Sequence, residues 1–113
     1  MEIIYKVLTS PEWEDVKNMG IFTGSTVDVR DGYMHFSTAE QVEETIARHY
    51  SGAIELVLAA VTIKTLGAAL RWEPSRGGAL FPHLYGPLRI KDILWGKMFD
   101  ARFPTELQRL LAE

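Results

Sequence analysis

The order of predicted elements indicates an α+β fold with a mainly antiparallel sheet. A β-rich run at residues 3–8 and an almost unbroken apolar run at 54–63 predict strands, and a capping sequence between them predicts a helix. The later segments continue this mixture without the regular strand–helix alternation of parallel α/β proteins. The 113 residues fit one domain, 1–113, that can bury roughly two-thirds of the unfolded chain's surface.

The first third of the chain predicts a strand, a helix, a loop and a second short strand. Residues 3–8 (IIYKVL) are β-branched and aromatic, as in strands. Ser10 predicts a helix N-cap, with Pro11 in the first turn and Gly20 as the stop. Three side chains of this helix are predicted to face the core: Trp13, Val16 and Met19. A loop at 24–32 and a short strand at 33–36 follow, with the turn pair Asp31-Gly32 between them.

The middle of the chain predicts a capped helix and a buried central strand. Ser37 with Glu40 forms a capping box, and Thr38 with Gln41 offers the same pairing one residue later. The helix presents one apolar stripe and should end at Ser51-Gly52; the stripe is Val42, Ile46 and Tyr50. The apolar run at 54–63 is too short to span a membrane and predicts a strand buried on both faces.

The last third of the chain predicts three strands and a final helix. A turn or a single helical turn at 65–70 precedes a strand at 70–73 and a loop at 74–78. Residues 80–85 form a strand that Pro82 should confine to a sheet edge, and 90–99 a strand bent or bulged at Gly96. Pro104 opens the last of about three helices, whose inner face is Leu107, Leu110 and Leu111.

Composition excludes several functional classes. The absence of cysteine excludes disulfides, thiolate metal sites and cysteine nucleophiles. A net charge of -3, from 12 basic and 15 acidic side chains, argues against non-specific nucleic-acid binding. The N-terminus lacks the pattern of a signal peptide, and no apolar run is long enough for a membrane span. We therefore expect a soluble, cytoplasmic protein.

A first polar cluster, DGYMHFST, lies at residues 31–38. His35 ends a short strand directly before a well-capped helix, whose first amides form a partial positive pole. His35, Ser37 and Thr38 are therefore candidates for binding an anion or a ribose hydroxyl. The alternative is a plain cap beside a histidine packed in the core wall. Asp28 and Asp31 do not have calcium-loop spacing with His35, so they are interpreted as turn residues and no metal is expected.

A second polar cluster, RWEPSRGGALFPHLYGPL, lies at residues 71–88. Glu73 lies close to Arg71 and Arg76; it is a candidate acid, base or charge-stabilising group, or else one half of a structural Glu–Arg pair. Strand alternation predicts that three side chains share one face and line a pocket: Phe81, His83 and Tyr85. Gly77-Gly78 allows a close approach of the backbone to a ligand, or serves as a mobile connector.

These clusters carry a family resemblance. With IYK at residues 4–6 and Gln41, they resemble a bacterial family known as domain of unknown function 952, over about residues 3–100. That family is similar to the ADP-ribosyltransferase fold, which implies a split, antiparallel sheet that binds NAD or an ADP-ribose-like group. The resemblance implies that His35 holds a ribose. The order departs from the wider fold family, because Glu73 precedes His83 and Tyr85 whereas the acidic residue usually comes last.

Three functions are compatible with the two clusters. The first is an enzyme that transfers or hydrolyses an ADP-ribosyl group, with Glu73 stabilising positive charge and His83 or Tyr85 contacting the base. In it, Ser37 and Thr38 with Arg71 or Arg76 would bind phosphate, and Phe81 would belong to the pocket wall. The second is a non-catalytic module that binds a nucleotide or small anion in the same cavity. The third is a structural protein, monomeric or weakly homodimeric, whose aromatic face is an interface.

Overall fold

The computed structural model describes residues 2–112, with the backbone alone for Arg76. In this range the chain is α+β, and every strand pair is antiparallel. The strands are β1 (Ile3–Thr9), β2 (Ile21–Phe22), β3 (Met34–His35), β4 (Leu56–Thr62), β5 (Leu70–Pro74), β6 (Leu80–Leu84), β7 (Leu88–Arg89) and β8 (Ile93–Phe99). The helices are α1 (Ser10–Met19), α2 (Thr26–Asp31), α3 (Ala39–His49), α4 (Ile63–Leu66) and α5 (Pro104–Leu111).

The sheet β1-β4-β8 forms the centre of the molecule. Its middle strand, β4, is buried at every position, as the continuous apolar run predicts. Because successive side chains point to opposite faces, β4 contributes Val57 to one core and Leu58 to the other. The first core includes side chains from α1, β3 and β6, and the second includes side chains from α3 and α5.

The second three-stranded sheet, β3-β6-β5, corrects the predicted place of the proline strand. We expected β6 at an edge because of Pro82, but β6 lies between β3 and β5. The carbonyl of Pro82 accepts a hydrogen bond from the Phe36 amide, so the missing N–H of Pro82 also faces the β3 side. Strand β3 ends at this point, at His35. The missing N–H of Pro82 therefore removes little of the hydrogen bonding between β3 and β6. A two-residue bridge joins this sheet to the central one, with Tyr5 and Ser37 exchanging backbone hydrogen bonds of 2.8 and 2.9 Å.

Helix α2 is an element that the sequence analysis placed in a loop. Ser25 caps it, because its Oγ accepts from the Asp28 amide while Asp28 Oδ2 accepts from the Ser25 amide. Gly32 ends it in the left-handed conformation, with φ of 86°. With the single turn α4, the described residues contain five α-helices instead of about three.

The other helix boundaries differ from prediction in detail. Thr9 rather than Ser10 caps α1, in a reciprocal pairing with Glu12. Met19 does not face the core, since it is 72% exposed. Helix α3 is capped by Thr38 with Gln41, so the Ser37–Glu40 alternative is wrong.

Strand β8 contains the predicted irregularity at a different position. The register passes from Ala60 opposite Trp95 to Val61 opposite Ile93, which leaves Leu94 as the bulged residue. Gly96 is instead a packing position, because a Cβ there would lie 2.5 Å from Cη2 of Trp13. Within residues 2–112, no helix combines the length and apolar character needed to cross a membrane.

Candidate functional site

The register of β3-β6-β5 gathers most of the predicted site residues on one face. His83 lies opposite His35 on one side and opposite Arg71 on the other. Alternation then places their i±2 neighbours on the same face. We call this surface the histidine face; it comprises Tyr33, His35, Arg71, Glu73, Phe81, His83 and Tyr85. The opposite face belongs to the core, with Met34 and Leu84 buried there.

Tyr33 is the centre of a ring cluster on the histidine face. Its ring stacks on the imidazole of His83 at 4.0 Å and 28°, and lies 4.8 Å from that of His35. The two imidazole centroids are 5.6 Å apart. Tyr85 lies 5.4 Å from the Tyr33 ring, and the guanidinium of Arg71 lies 5.0 Å above Tyr85. The two sequence clusters therefore meet in space.

Glu73 is held by two neighbours on the histidine face. Its Oε1 accepts hydrogen bonds from Nδ1 of His83 at 2.8 Å and from the hydroxyl of Tyr85 at 2.7 Å. These two hydrogen bonds, with a smaller effect of the Arg71 charge, lower the pKa of Glu73 below its ordinary value. The carboxylate is therefore ionised at neutral pH, and within the described residues its hydrogen-bond partners are a histidine and a tyrosine.

His83 is buried while one of its ring nitrogens is unused. The residue is 2% exposed, and Nδ1 faces Glu73. Among the residues that the structure describes, the opposite nitrogen, Nε2, has no hydrogen-bond partner. Most buried polar side-chain atoms in proteins do have one, so Nε2 of His83 is a position that a bound molecule can contact.

His35 is held between two carboxylates. Its Nδ1 lies 2.7 Å from Oδ1 of Asp28, and its Nε2 lies 3.0 Å from Oδ2 of Asp31. Both contacts are hydrogen bonds only when both nitrogens carry a proton, because a carboxylate accepts and does not donate. Asp28 is the more buried of the two partners: its side chain is 4% exposed, whereas that of Asp31 is 28% exposed.

Asp28 is the centre of a buried polar network beneath the histidine face. Lys6 Nζ lies 2.8 Å from Asp28 Oδ2 and donates a second hydrogen bond to the carbonyl of His35. Burial by itself would raise the pKa of Asp28, but the hydrogen bond from His35 and the charge and hydrogen bond of Lys6 outweigh it and hold that pKa far below its ordinary value. Burial lowers the pKa of Lys6, against the opposing effect of Asp28. The network fixes the backbone and ring of His35 from below.

The interpretation of Asp28 as a simple turn residue is therefore wrong, and the sequence analysis missed Lys6 and Tyr33. Lys6 has a signal in the sequence, since it is a charged residue in the middle of an apolar strand that is otherwise buried. Tyr33 stands in the same motif as His35, but only the strand pairing shows that its ring lies on His83.

The side chains at the start of α3 make contacts within the fold. Ser37 is buried, and its hydroxyl is 2.9 Å from that of Thr45. The Thr38 amide donates to Oε1 of Gln41, whose Nε2 in turn donates to the carbonyl of Leu80. Thr38 thus has the predicted capping role, and Ser37 has a structural contact with Thr45 in place of a capping role. Of the other candidates, the Arg76 side chain lies outside the described part of the structure.

A cavity of about 770 Å³ adjoins the histidine face. It reaches that face at His35, Phe81 and His83, and Ser37 also lines it. Its other walls come from β1, the first turn of α2 and the last turns of α3. Arg71, Glu73 and Tyr85 are not among the lining residues; they lie beside His83 on the histidine face. Within the described residues, no group of three or more acidic or histidine side chains is arranged to hold a metal ion.

Comparisons with other proteins find relatives of the same size. Residues 7–96 match the model of a family described as protein of unknown function (DUF952). An X-ray crystal structure of protein CC0527 from Caulobacter crescentus is 47% identical, with a TM-score of 0.84 over 87% of this chain and 86% of that chain. A double mutant of CC0527 is 45% identical, with the same coverage and TM-score. Its solution NMR structure is 47% identical, with a TM-score of 0.80 over 88% of this chain and 86% of that chain.

A search of curated proteins returns no match. The family model nevertheless covers most of the chain, and the CC0527 structures share nearly half of its residues in the same fold. The relationship inferred from the two motif clusters is confirmed at the level of the family. The chain belongs to the DUF952 family of proteins of unknown function.

Proposed function

We propose that this protein binds a nucleotide of the NAD or ADP-ribose class at the histidine face and cleaves its bond between ribose and base. One observation carries the proposal. Two imidazoles lie 5.6 Å apart beside a common tyrosine, each with Nδ1 on a carboxylate, at the wall of a cavity of about 770 Å³. Ligand cavities are commonly about 300–1,000 Å³, with a few convergent polar groups.

The aromatic and cationic groups suit a nucleotide. Tyr33 and Tyr85 offer partly exposed rings on which a base can stack, and Arg71 provides a charge for a phosphate. Phe81 adds apolar surface at the cavity wall. In the same proposal, Arg76 and the backbone amides that follow Ser37 and Thr38 supply further phosphate contacts.

His35 is the proposed ribose ligand. Its Nε2 is the only one of its ring nitrogens not committed to the buried Asp28, and it is covered by the more exposed Asp31. A ribose hydroxyl oxygen that replaces Asp31 would accept the same hydrogen bond from Nε2. The buried network of Lys6 and Asp28 keeps the ring in place during this exchange.

Glu73 is the proposed catalytic carboxylate. When the bond from the ribose anomeric carbon to the nicotinamide nitrogen breaks, its electron pair leaves with nicotinamide and positive charge develops on the ribose. An ionised carboxylate stabilises that charge. Water or another acceptor then forms a bond with the anomeric carbon and loses a proton. The relation to the ADP-ribosyltransferase fold belongs to this proposal, supported by two antiparallel sheets that a short bridge joins.

Two measurements test the proposal. Isothermal titration calorimetry with ADP-ribose should show saturable binding, and chromatography of NAD incubations should show release of nicotinamide. Glu73→Gln should retain binding and lose at least about 100-fold in turnover, because removal of one charge-stabilising group commonly costs that much. Glu14→Gln, an exposed change on α1, serves as the control with unchanged turnover.

The alternatives have their own signatures in the same experiments. Binding of ADP-ribose without nicotinamide release would replace the enzyme by a non-catalytic binding module. If neither nucleotide binds and sedimentation shows a concentration-dependent dimer, the histidine face is an interface and the proposal is wrong.

A further inference from the structure

We propose that His83 accepts, through Nε2, the proton lost by the water or hydroxyl group that attacks the anomeric carbon, and that Glu73 positions the imidazole for this step. The inference rests on the proposed function and names its proton acceptor. Nothing in the family comparisons assigns such a role to either residue.

The contact between His83 and Glu73 fixes which nitrogen carries the proton. The carboxylate accepts hydrogen bonds, so Nδ1, at 2.8 Å from Oε1, must donate. A neutral imidazole has a single N–H, and Nε2 is then left with an unprotonated lone pair. The opposite tautomer would place the Nδ1 lone pair against a negative oxygen and is disfavoured.

Within the described residues, Nε2 of His83 has no hydrogen-bond partner. His83 is closed to solvent, so bulk water does not compensate for the missing partner. A buried acceptor without a donor costs free energy that a bound molecule offering an O–H group recovers. Because His83 also lines the cavity, a molecule held there can supply that group after a small shift of its neighbours.

The ring of His83 is held by two direct contacts, and one of these is itself fixed by a third residue. Tyr33 covers its face, Glu73 binds Nδ1, and the Tyr85 hydroxyl fixes the same carboxylate oxygen. The charged and titratable groups around it are Arg71 and Glu73 on β5, Tyr85 after β6, Tyr33 and His35 at β3, and Asp31 at the end of α2. The ionised Glu73 also stabilises the imidazolium that forms when Nε2 takes up a proton.

The proposed step is balanced. The bond between the anomeric carbon and nicotinamide breaks, and nicotinamide leaves with the electron pair. The oxygen of water forms a bond with the anomeric carbon, and its proton moves to Nε2 of His83. Deprotonation of the imidazolium to solvent then restores the resting state.

The first test needs no substrate. Long-range ¹H–¹⁵N NMR spectra of the ¹⁵N-histidine-labelled protein at pH 8 should show His83 as the neutral tautomer protonated at Nδ1. The resonances are assigned from the spectrum of His83→Gln. In Glu73→Gln, an amide that can donate to Nδ1 should shift the population toward the Nε2–H form. A resonance pattern with Nε2–H, or with both nitrogens protonated, in the unmodified protein overturns the inference.

The second test measures nicotinamide release from NAD as a function of pH. An Nε2 that already carries a proton cannot accept another, so activity that depends on His83 as proton acceptor should fall as the pH is lowered, and His83→Gln should remove this part of the pH dependence. His83→Gln should lower kcat at least about 100-fold, the usual contribution of a general base, with KM changed less than about threefold. Added imidazole should restore part of the activity of His83→Ala, once circular dichroism has confirmed that this variant folds.

The outcomes separate the two proposals. Absence of NAD cleavage by the unmodified protein overturns both. Cleavage that is lost in Glu73→Gln but unchanged in His83→Gln leaves the proposed function and removes His83 as the proton acceptor. Tyr85→Phe should lower kcat without abolishing the pH dependence, since it loosens Glu73 and keeps the imidazole. An unaltered kcat in Tyr85→Phe would contradict the positioning of Glu73 by Tyr85.

Discussion

At the scale of single residues, the buried Lys6–Asp28–His35 network determines where the candidate site can form. Asp28 accepts from the amide and ring of His35, from Lys6 and from the Ser25 amide. It thus joins β1, α2 and β3 through one side chain. A carboxylate with this many donors can remain charged in a buried place, because each donor replaces a lost hydration contact.

Replacing Asp28 by asparagine should destabilise the protein. The change leaves the buried Lys6 without its anion and weakens the contact to the ring of His35, and loss of one member of a buried pair typically costs about 3 kcal/mol or more. Urea unfolding measures this difference. Glu14→Gln, which breaks an exposed pair with Lys17, is the matched control and should change the free energy of unfolding little. Equal effects of the two changes would contradict the role given to Asp28.

The acid dependence of stability should also depend on Asp28. Its pKa in the folded protein lies below the ordinary value of 3.8, so between the two values the unfolded chain binds more protons than the native state. The stabilising contribution is therefore complete above about pH 4 and is lost as the pH falls toward the folded pKa. The free energy of unfolding, measured from pH 6 to pH 2, should fall less steeply in Asp28→Asn. Parallel curves would show that the network does not control acid stability.

Asp31 should act as a competitor of the proposed ligand. It covers Nε2 of His35 at 3.0 Å, the position assigned to a ribose hydroxyl. Asp31→Asn removes the charge that holds this contact, so ADP-ribose should bind several-fold more tightly in calorimetry. Asp15→Asn, an exposed change on α1, should leave the affinity unchanged. Weaker binding to Asp31→Asn would indicate that Asp31 contacts the ligand directly.

The residues of the site were predictable to different degrees. His35, Glu73, His83 and Tyr85 stand out because polar and aromatic groups are concentrated in two short motifs. The partner of Glu73 was not predictable in the same way. Sequence proximity points to Arg71 and Arg76, and it does not indicate that the cross-strand register also brings His83 to Oε1 of Glu73. Strand pairing and register determine which side chains meet across a sheet. A single sequence does not reveal which strands pair or in what register.

At the scale of elements, strong local patterns were predictive and weak ones were not. The apolar run of β4 and the capped helix α3 were both confirmed. Helix α2 was missed because its six residues carry no apolar period, and its capping pair uses Asp28 instead of the more familiar Glu or Gln. The central position of β6 was missed because Pro82 is tolerated where β3 stops, a fact of tertiary structure.

The packing of α1 against β8 should be sensitive to one methyl group. A Cβ at Gly96 would lie 2.5 Å from Cη2 and 2.6 Å from Cζ2 of Trp13, too close for a rigid ring. Gly96→Ala should therefore cost about 1–3 kcal/mol of stability, as measured by thermal or urea unfolding. Gly86→Ala is the matched control, since its Cβ would meet Ala69 at an ordinary 3.9 Å. Similar losses in both variants would show that Trp13 can move aside and that the contact is not restrictive.

At the scale of the whole molecule, the site depends on contacts between distant parts of the chain. His35 and His83 become neighbours only because β3 pairs with β6. The family motifs made this convergence predictable, whereas composition and periodicity did not. The order of the strands in each sheet, and the division of the core into two layers, are set by packing on the two faces of β4.

Because β4 contributes to both core layers, the whole chain should unfold in a single transition. Val57 belongs to the layer beneath α1 and Trp13, and Leu58 to the layer beneath α3 and Trp95. Leu58→Ala should cost about 2–5 kcal/mol and Val57→Ala about 2 kcal/mol, from lost apolar contact and the remaining cavities.

Fluorescence of variants that retain either Trp13 or Trp95 alone reports each layer separately. In urea, both probes should give the same midpoint, and either truncation should shift both midpoints together. Separate midpoints would mean that the two layers unfold independently. In that case a ligand at the histidine face, which packs on the Val57 side through Met34 and Leu84, would stabilise that layer without stabilising the other.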